Sequence, residues 1–193
     1  MADDARRAAL RAWLATCAPD ASAELEPITG DASFRRYFRV ATADGSRIAM
    51  DAPPDHEDTA PFVDVAGRLA TAGVNAPRVL ASEPDQGFLL LTDLGDRLYL
   101  DALADGDADR LYGDALAALV RMQCAAPSAG LPGYDAARLH AEMELFRQWF
   151  LAAHLGIDPA PVSSDLDAAF DALAAVALEQ PRVFVHRDYH SRN

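Results

Sequence analysis

Near residue 95 the spacing of apolar side chains changes period, and that change limits the chain to a small set of folds. Before it, short apolar runs at 25–28, 34–40 and 47–50 are joined by Thr29-Gly30-Asp31-Ala32-Ser33 and Ala43-Asp44-Gly45-Ser46, a pattern that predicts a three-stranded antiparallel meander. Pro53-Pro54 ends it. Residues 61–72 then put Phe62, Val65, Ala66, Leu69 and Ala72 on one helical face, with Gly73 as the stop. Two more strands, 79–81 and 88–92, flank the turn Pro84-Asp85-Gln86-Gly87. Ahead of the sheet, Leu10, Trp13, Leu14 and Cys17 keep helical phase over 4–17, a helix expected on the outside of the domain.

Beyond Asp93-Leu94-Gly95-Asp96 the 3.6 period takes over. Tyr112, Ala115, Leu116, Leu119 and Val120 mark one helix, and Leu139, Met143, Phe146 and Phe150 the next. Leu166, Phe170, Leu173 and Ala177 mark a third behind the capping pattern Ser164-Asp165-Leu166-Asp167. The prediction is an α+β chain: a five-stranded antiparallel sheet lobe over 1–95 and a helical lobe over 96–193. Arg182-Val183-Phe184-Val185, after Pro181, reads as one further short strand.

Charge narrows the partners. A formal net charge of −13 and a pI near 4.6 oppose nucleic acid and anionic membrane surfaces, which require basic faces, and favour a small-molecule substrate. Acidic residues at Asp3 and Asp4 occupy the place where a secretory leader carries basic ones, so the expected location is cytoplasmic. Cys17 and Cys124 are expected to be buried small hydrophobes. All 17 basic residues are arginine, which excludes a phosphate loop ending in Gly-Lys-Ser/Thr.

The chemistry-bearing stretch is His186-Arg187-Asp188-Tyr189-His190-Ser191-Arg192-Asn193. An Asp five positions before an Asn is the arrangement in which phosphoryl-transfer loops place a base for the acceptor hydroxyl and a ligand for Mg²⁺ on the nucleotide phosphates. Asp188 is thus the candidate general base, Asn193 the candidate metal ligand and His186 a catalytic-loop brace. Two other readings stay open: a solvated terminal tail, and a metal site made by His186, Asp188 and His190. Gly30, Asp31, Ala32 and Ser33 suit either phosphate contact through backbone N–H groups or an ordinary hairpin turn. Along the strand that follows, Phe34, Arg36, Phe38 and Val40 alternate with Arg35, Tyr37 and Arg39; Arg36 is a candidate phosphate contact or a solvated strand arginine.

Taken together, these features resemble the bilobal protein-kinase-like fold, and within it the aminoglycoside phosphotransferase and choline kinase branch, whose loop reads His-Gly-Asp-x-His-x-x-Asn. His186, Asp188, His190 and Asn193 match; Arg187 stands where Gly is usual. The stretch 30–40 and Met50-Asp51-Ala52-Pro53-Pro54 look like the anomeric kinases of N-acetylmuramate and N-acetylglucosamine. That resemblance implies ATP and Mg²⁺ as cofactors, an amino-sugar acceptor, and adenine contact at Leu91, Thr92 and Asp93, although the same apolar run describes any buried strand. It places Met50 where the phosphate-gripping lysine is usual. It also implies a second metal-binding Asp on a strand after the loop and a larger helical lobe, so the expectation is a longer kinase cut short, inactive or nearly so as written. The alternatives are an aminoglycoside- or choline-type phosphotransferase and a non-catalytic nucleotide-binding module.

Overall fold

The computed structural model describes residues 2–28 and 34–192. The chain divides into two compact units, Met1–Pro127 with Asp188–Asn193, and Ser128–Arg187.

In the first unit, strands β1 (Glu26–Ile28), β2 (Arg36–Thr42), β3 (Gly45–Asp51), β4 (Val79–Glu83) and β5 (Phe88–Thr92) form one antiparallel sheet in the order β1-β2-β3-β5-β4. Its register pairs Arg36 with Asp51 and Tyr37 with Met50 across β2 and β3, and Met50 with Leu89 across β3 and β5. The meander and the later hairpin are therefore as the alternation predicts. At the second hairpin Gly87 adopts φ +72°, and a Cβ there would lie 1.8 Å from the Ala52 carbonyl oxygen, so only glycine lets this turn close on the end of β3.

Successive residues of a strand point to opposite faces, and each face has its own helix. Helix α1 (Ala2–Cys17) covers one: Leu10, Trp13 and Leu14 pack with Phe38, Val40, Ala49, Phe88 and Leu90. The helix is not an outer accessory; it closes this core. Helix α2 (Ala60–Thr71) covers the other, where Phe62 and Val63 pack against Met50, Ala52, Leu89 and Leu91. Gly73 at φ +69° ends it as expected. Cys17 falls just outside the buried stripe of α1, and both Cys17 and Cys124 are exposed, contrary to expectation.

Helices α3 (Tyr99–Asp105) and α4 (Ala108–Ala125) complete this unit. The first was not anticipated from sequence. Asp107 caps α4 by accepting from the Arg110 N–H. The predicted stripe on α4 is only partly covered: Ala115 and Leu119 are half-buried and Tyr112, Leu116 and Val120 exposed, while the buried residue of the helix is Met122, outside that stripe.

The second unit holds α5 (Ala136–Leu145), which runs into wider π-type turns over Phe146–His154, and α6 (Ser163–Leu178). The expected cap at Ser164 does not form. A 3₁₀ turn, Ala160–Val162, leads directly into α6, and its backbone carbonyls take the first helical N–H groups, Ser163 donating to Ala160. Phe170 and Ala174 are the buried positions of α6, while Leu173 is exposed. Arg147 ties the π-type turns to α6 through Asp167, at 2.7 Å. The expected strand at 182–185 is a correction: those residues pair with no strand among the described residues, and only Phe184 is buried. A ladder requires a partner, and without one Phe184 alone anchors the segment. No helix among the described residues is long and apolar enough to cross a membrane.

Candidate active site

Gly30, Asp31, Ala32, Ser33 and Asn193 lie outside the described residues, so the loop and metal-ligand assignments made on them stay sequence expectations. The remaining candidates are all described.

Asp188 opens the last stretch of the first unit. His190 Nδ1 accepts the Arg192 backbone N–H at 3.1 Å, which leaves the ring proton on Nε2. That nitrogen lies 3.1 Å from Asp188 Oδ1. The imidazole thus works as an orienting donor, holding one carboxylate oxygen of Asp188. Two further bonds fix the stretch: Tyr189 Oη donates to the Ala115 carbonyl at 2.6 Å, and Leu100 N donates to the Ser191 carbonyl at 2.8 Å. An exposed carboxylate on a peptide tied down just beyond it, at Tyr189 and Ser191, is what a base needs to meet a substrate hydroxyl in one geometry.

His186 and Arg187 belong to the second unit, where His186 is exposed. Arg187 takes φ +73°, the left-handed conformation that favours glycine, at the position where the resembling loop carries Gly. The backbone shape is kept without the residue that adopts it easily. Its guanidinium pairs with Glu142 and lies 5.9 Å from the Tyr134 ring centroid, while Tyr134 Oη donates to Glu142 at 2.5 Å. These two donors, Tyr134 foremost, hold the Glu142 carboxyl below its ordinary range. Such contacts offset the local strain, typically about 1–3 kcal/mol for a non-glycine residue in this region. The alternative His186/Asp188/His190 metal site gains no support: no group of three or more metal-ligating side chains gathers among the described residues.

Of the candidates at the end of β5, Leu91 is buried in the α2-side core, and Thr92 exchanges hydrogen bonds with Arg78, N to O and Oγ1 from N, both at 3.0 Å. Asp93 is a clasp: it accepts from Arg39 Nε at 2.6 Å, Ser46 Oγ at 2.8 Å and the Gly95 N–H at 2.8 Å. Arg39 above all, then the Gly95 amide and Ser46, hold its carboxyl down to about 2. A depressed pKa stabilises the fold above the unfolded value and is lost as pH falls through the folded one. The clasp should therefore contribute about 2 kcal/mol at pH 5 and fade between about pH 4 and pH 2. Urea midpoints of the protein and of Asp93→Asn should differ at pH 5 and converge by pH 2; a gap that stays constant would show the clasp is not charged.

Arg36 has a partner that sequence reasoning missed. Asp51, wholly buried, receives Arg36 on Oδ2 and Arg6 of α1 on Oδ1, each through the Nε and Nη2 edge of its guanidinium, with Nε contacts of 3.2 and 3.0 Å. Arg6 also donates to the Gln86 carbonyl at 2.7 Å. This group sits on the α1 face of the sheet, whereas Met50 faces α2. The one available signal was the parity of Arg36 with Phe38 and Val40.

A twisted five-stranded sheet carrying a helix on each face, followed by helices and an oriented Asp in a His-x-Asp-x-His loop, is a phosphotransferase architecture, and the chain belongs to the phosphotransferase enzyme family, which it matches over residues 24–193. Among curated proteins it is similar to the N-acetylmuramate/N-acetylglucosamine kinase of Pseudomonas aeruginosa, 49% identical over 204 residues, covering 100% of this chain and 60% of that protein. Proteins of the same name from Pseudomonas putida and Neisseria meningitidis serogroup B are 43% and 37% identical; they cover 88% and 97% of this chain, which in turn covers 50% and 58% of theirs. The chain spans about half to three-fifths of the length of these relatives.

Proposed function

We propose that this chain is the nucleotide-binding and base-bearing part of an ATP-dependent kinase that phosphorylates the anomeric hydroxyl of N-acetylmuramate or N-acetylglucosamine. The observation that carries this reading is the 49% identity, along the whole chain, to a kinase named for those two sugars. The oriented Asp188 supports it independently.

In this reading residues 1–95 form the nucleotide lobe and 96–193 begin the acceptor lobe, in a cytoplasmic enzyme acting on a small molecule. Asp188 accepts the proton of the sugar hydroxyl as the oxygen attacks, and His190 keeps the carboxylate aimed. His186 and the left-handed Arg187 shape the peptide that presents it. Leu91, Thr92 and Asp93 bring backbone groups to the adenine edge. Bound ATP and Mg²⁺ would supply the transferable phosphoryl group and neutralise its charge, with Asn193 and the Gly30–Ser33 backbone as the groups to hold them.

The test uses the protein that carries this chain, incubated with ATP, Mg²⁺ and each sugar. A phosphate ester that forms only with all three, and that dilute acid hydrolyses as it does glycosyl phosphates, is the expected result. Transfer to a non-anomeric hydroxyl, or none to either sugar, would overturn the proposal.

A further inference from the structure

A nucleotide triphosphate requires cationic groups, yet this chain contains no lysine, and the position at the end of β3 where one would be sought is Met50, buried among Leu89, Leu91 and Ala52. Arg36, beside it in the register, turns to the α1 face and to Asp51. Arg35 goes the other way. Its Nε and Nη2 lie 3.1 and 3.0 Å from Glu57 Oε2, and its guanidinium carbon is 6.0 Å from the centroid of Phe62, a side chain that packs against the Met50 cluster. The cation of Arg35 is thus on the α2 face, the face of Met50.

Three features suit this group to phosphate. Glu57, 17% exposed, stands just ahead of α2, accepts from the Nε donor of Arg35 and lies within ion-pair distance of Nη2, so it orients the guanidinium. The side chain of Arg35 is 31% exposed, so a solute can reach it. On either side, Phe34 and His56 stack at 4.4 Å with planes 13° apart, joining the residue before Arg35 to the residue before Glu57 and holding the two chain segments together.

We propose that Arg35, positioned by Glu57, is the cation that grips the nucleotide phosphates in place of a strand lysine. The inference rests on the kinase reading above. A planar guanidinium meets phosphate oxygens through paired N–H donors, so the substitution changes the geometry of the grip while keeping its charge.

The test is calorimetric titration of the protein with Mg²⁺-ATP and with adenosine. Arg35→Ala should weaken ATP by about tenfold or more while leaving adenosine affinity unchanged, because a charge-assisted contact to phosphate is lost and the base contacts remain. Arg35→Lys should recover most of the ATP affinity. Glu57→Gln, which loosens the guanidinium without removing it, should weaken ATP about threefold, less than Arg35→Ala. If Arg35→Ala keeps the parent's ratio of ATP to adenosine affinity, the assignment is overturned and the kinase reading stands. If the parent protein binds neither ligand, both are overturned.

Discussion

Asp51→Ala should lower the stability of the first unit by about 3 kcal/mol, the lower part of the range for breaking a buried ion pair. Asp51 is wholly buried and both of its oxygens are occupied, so the substitution strips partners from two guanidiniums at once and leaves a polar void. The loss stays near the lower end because Arg6 and Arg36 are each about 30% exposed and can turn to water. Urea unfolding followed through Trp13, buried in the α1-side core, should show a lower midpoint with an unchanged slope. Asp51→Asn, which keeps the volume, should recover only the packing part. Wild-type stability in Asp51→Ala would mean that the clamp is a crossing of surface arginines with no energetic weight.

The second large effect is on rate. Asp188→Asn in the protein should reduce kcat by about 10²–10⁴, the usual contribution of a positioned general base, with little change in ATP affinity. Asp188 is exposed and its stretch is held by Tyr189 and Ser191, so the fold should be unaffected, and denaturation midpoints provide the check. His190→Ala should fall between parent and Asp188→Asn, since it removes the orienting donor and leaves the base. Near-parent turnover by Asp188→Asn would remove Asp188 from the chemistry.

The sheet and α2 were legible because each strand carries its own alternation and each turn its own glycine or proline; Gly45, Gly73 and Gly87 all sit at positive φ where the punctuation placed them. The short segment 182–185 carried the same β-branched signal and failed, because propensity does not create a pairing partner. In the site, Asp188 and His190 could be read from spacing, which is local. The Asp51 clamp could not: its members are 45 and 15 residues apart, and neither partner's type at its position announces the contact. The same limit applies to Arg35. Alternation separated it from Arg36 in sequence, but which of the two faces α2 depends on where α1 docks, and that is a tertiary fact.

Helix α1 precedes the family match, which begins at residue 24, yet it seals one face of the sheet through Leu10, Trp13 and Leu14 and locks to β3 through Arg6. The recognisable family segment and the physically sufficient one therefore have different edges. A chain begun at residue 24 would present Phe38, Val40, Ala49, Phe88 and Leu90 to water as one apolar surface, of the kind that leads chains to associate with one another. Any recombination that moves this nucleotide lobe into another protein has to carry its helix along, so the inherited module is longer than the segment that the family match marks out.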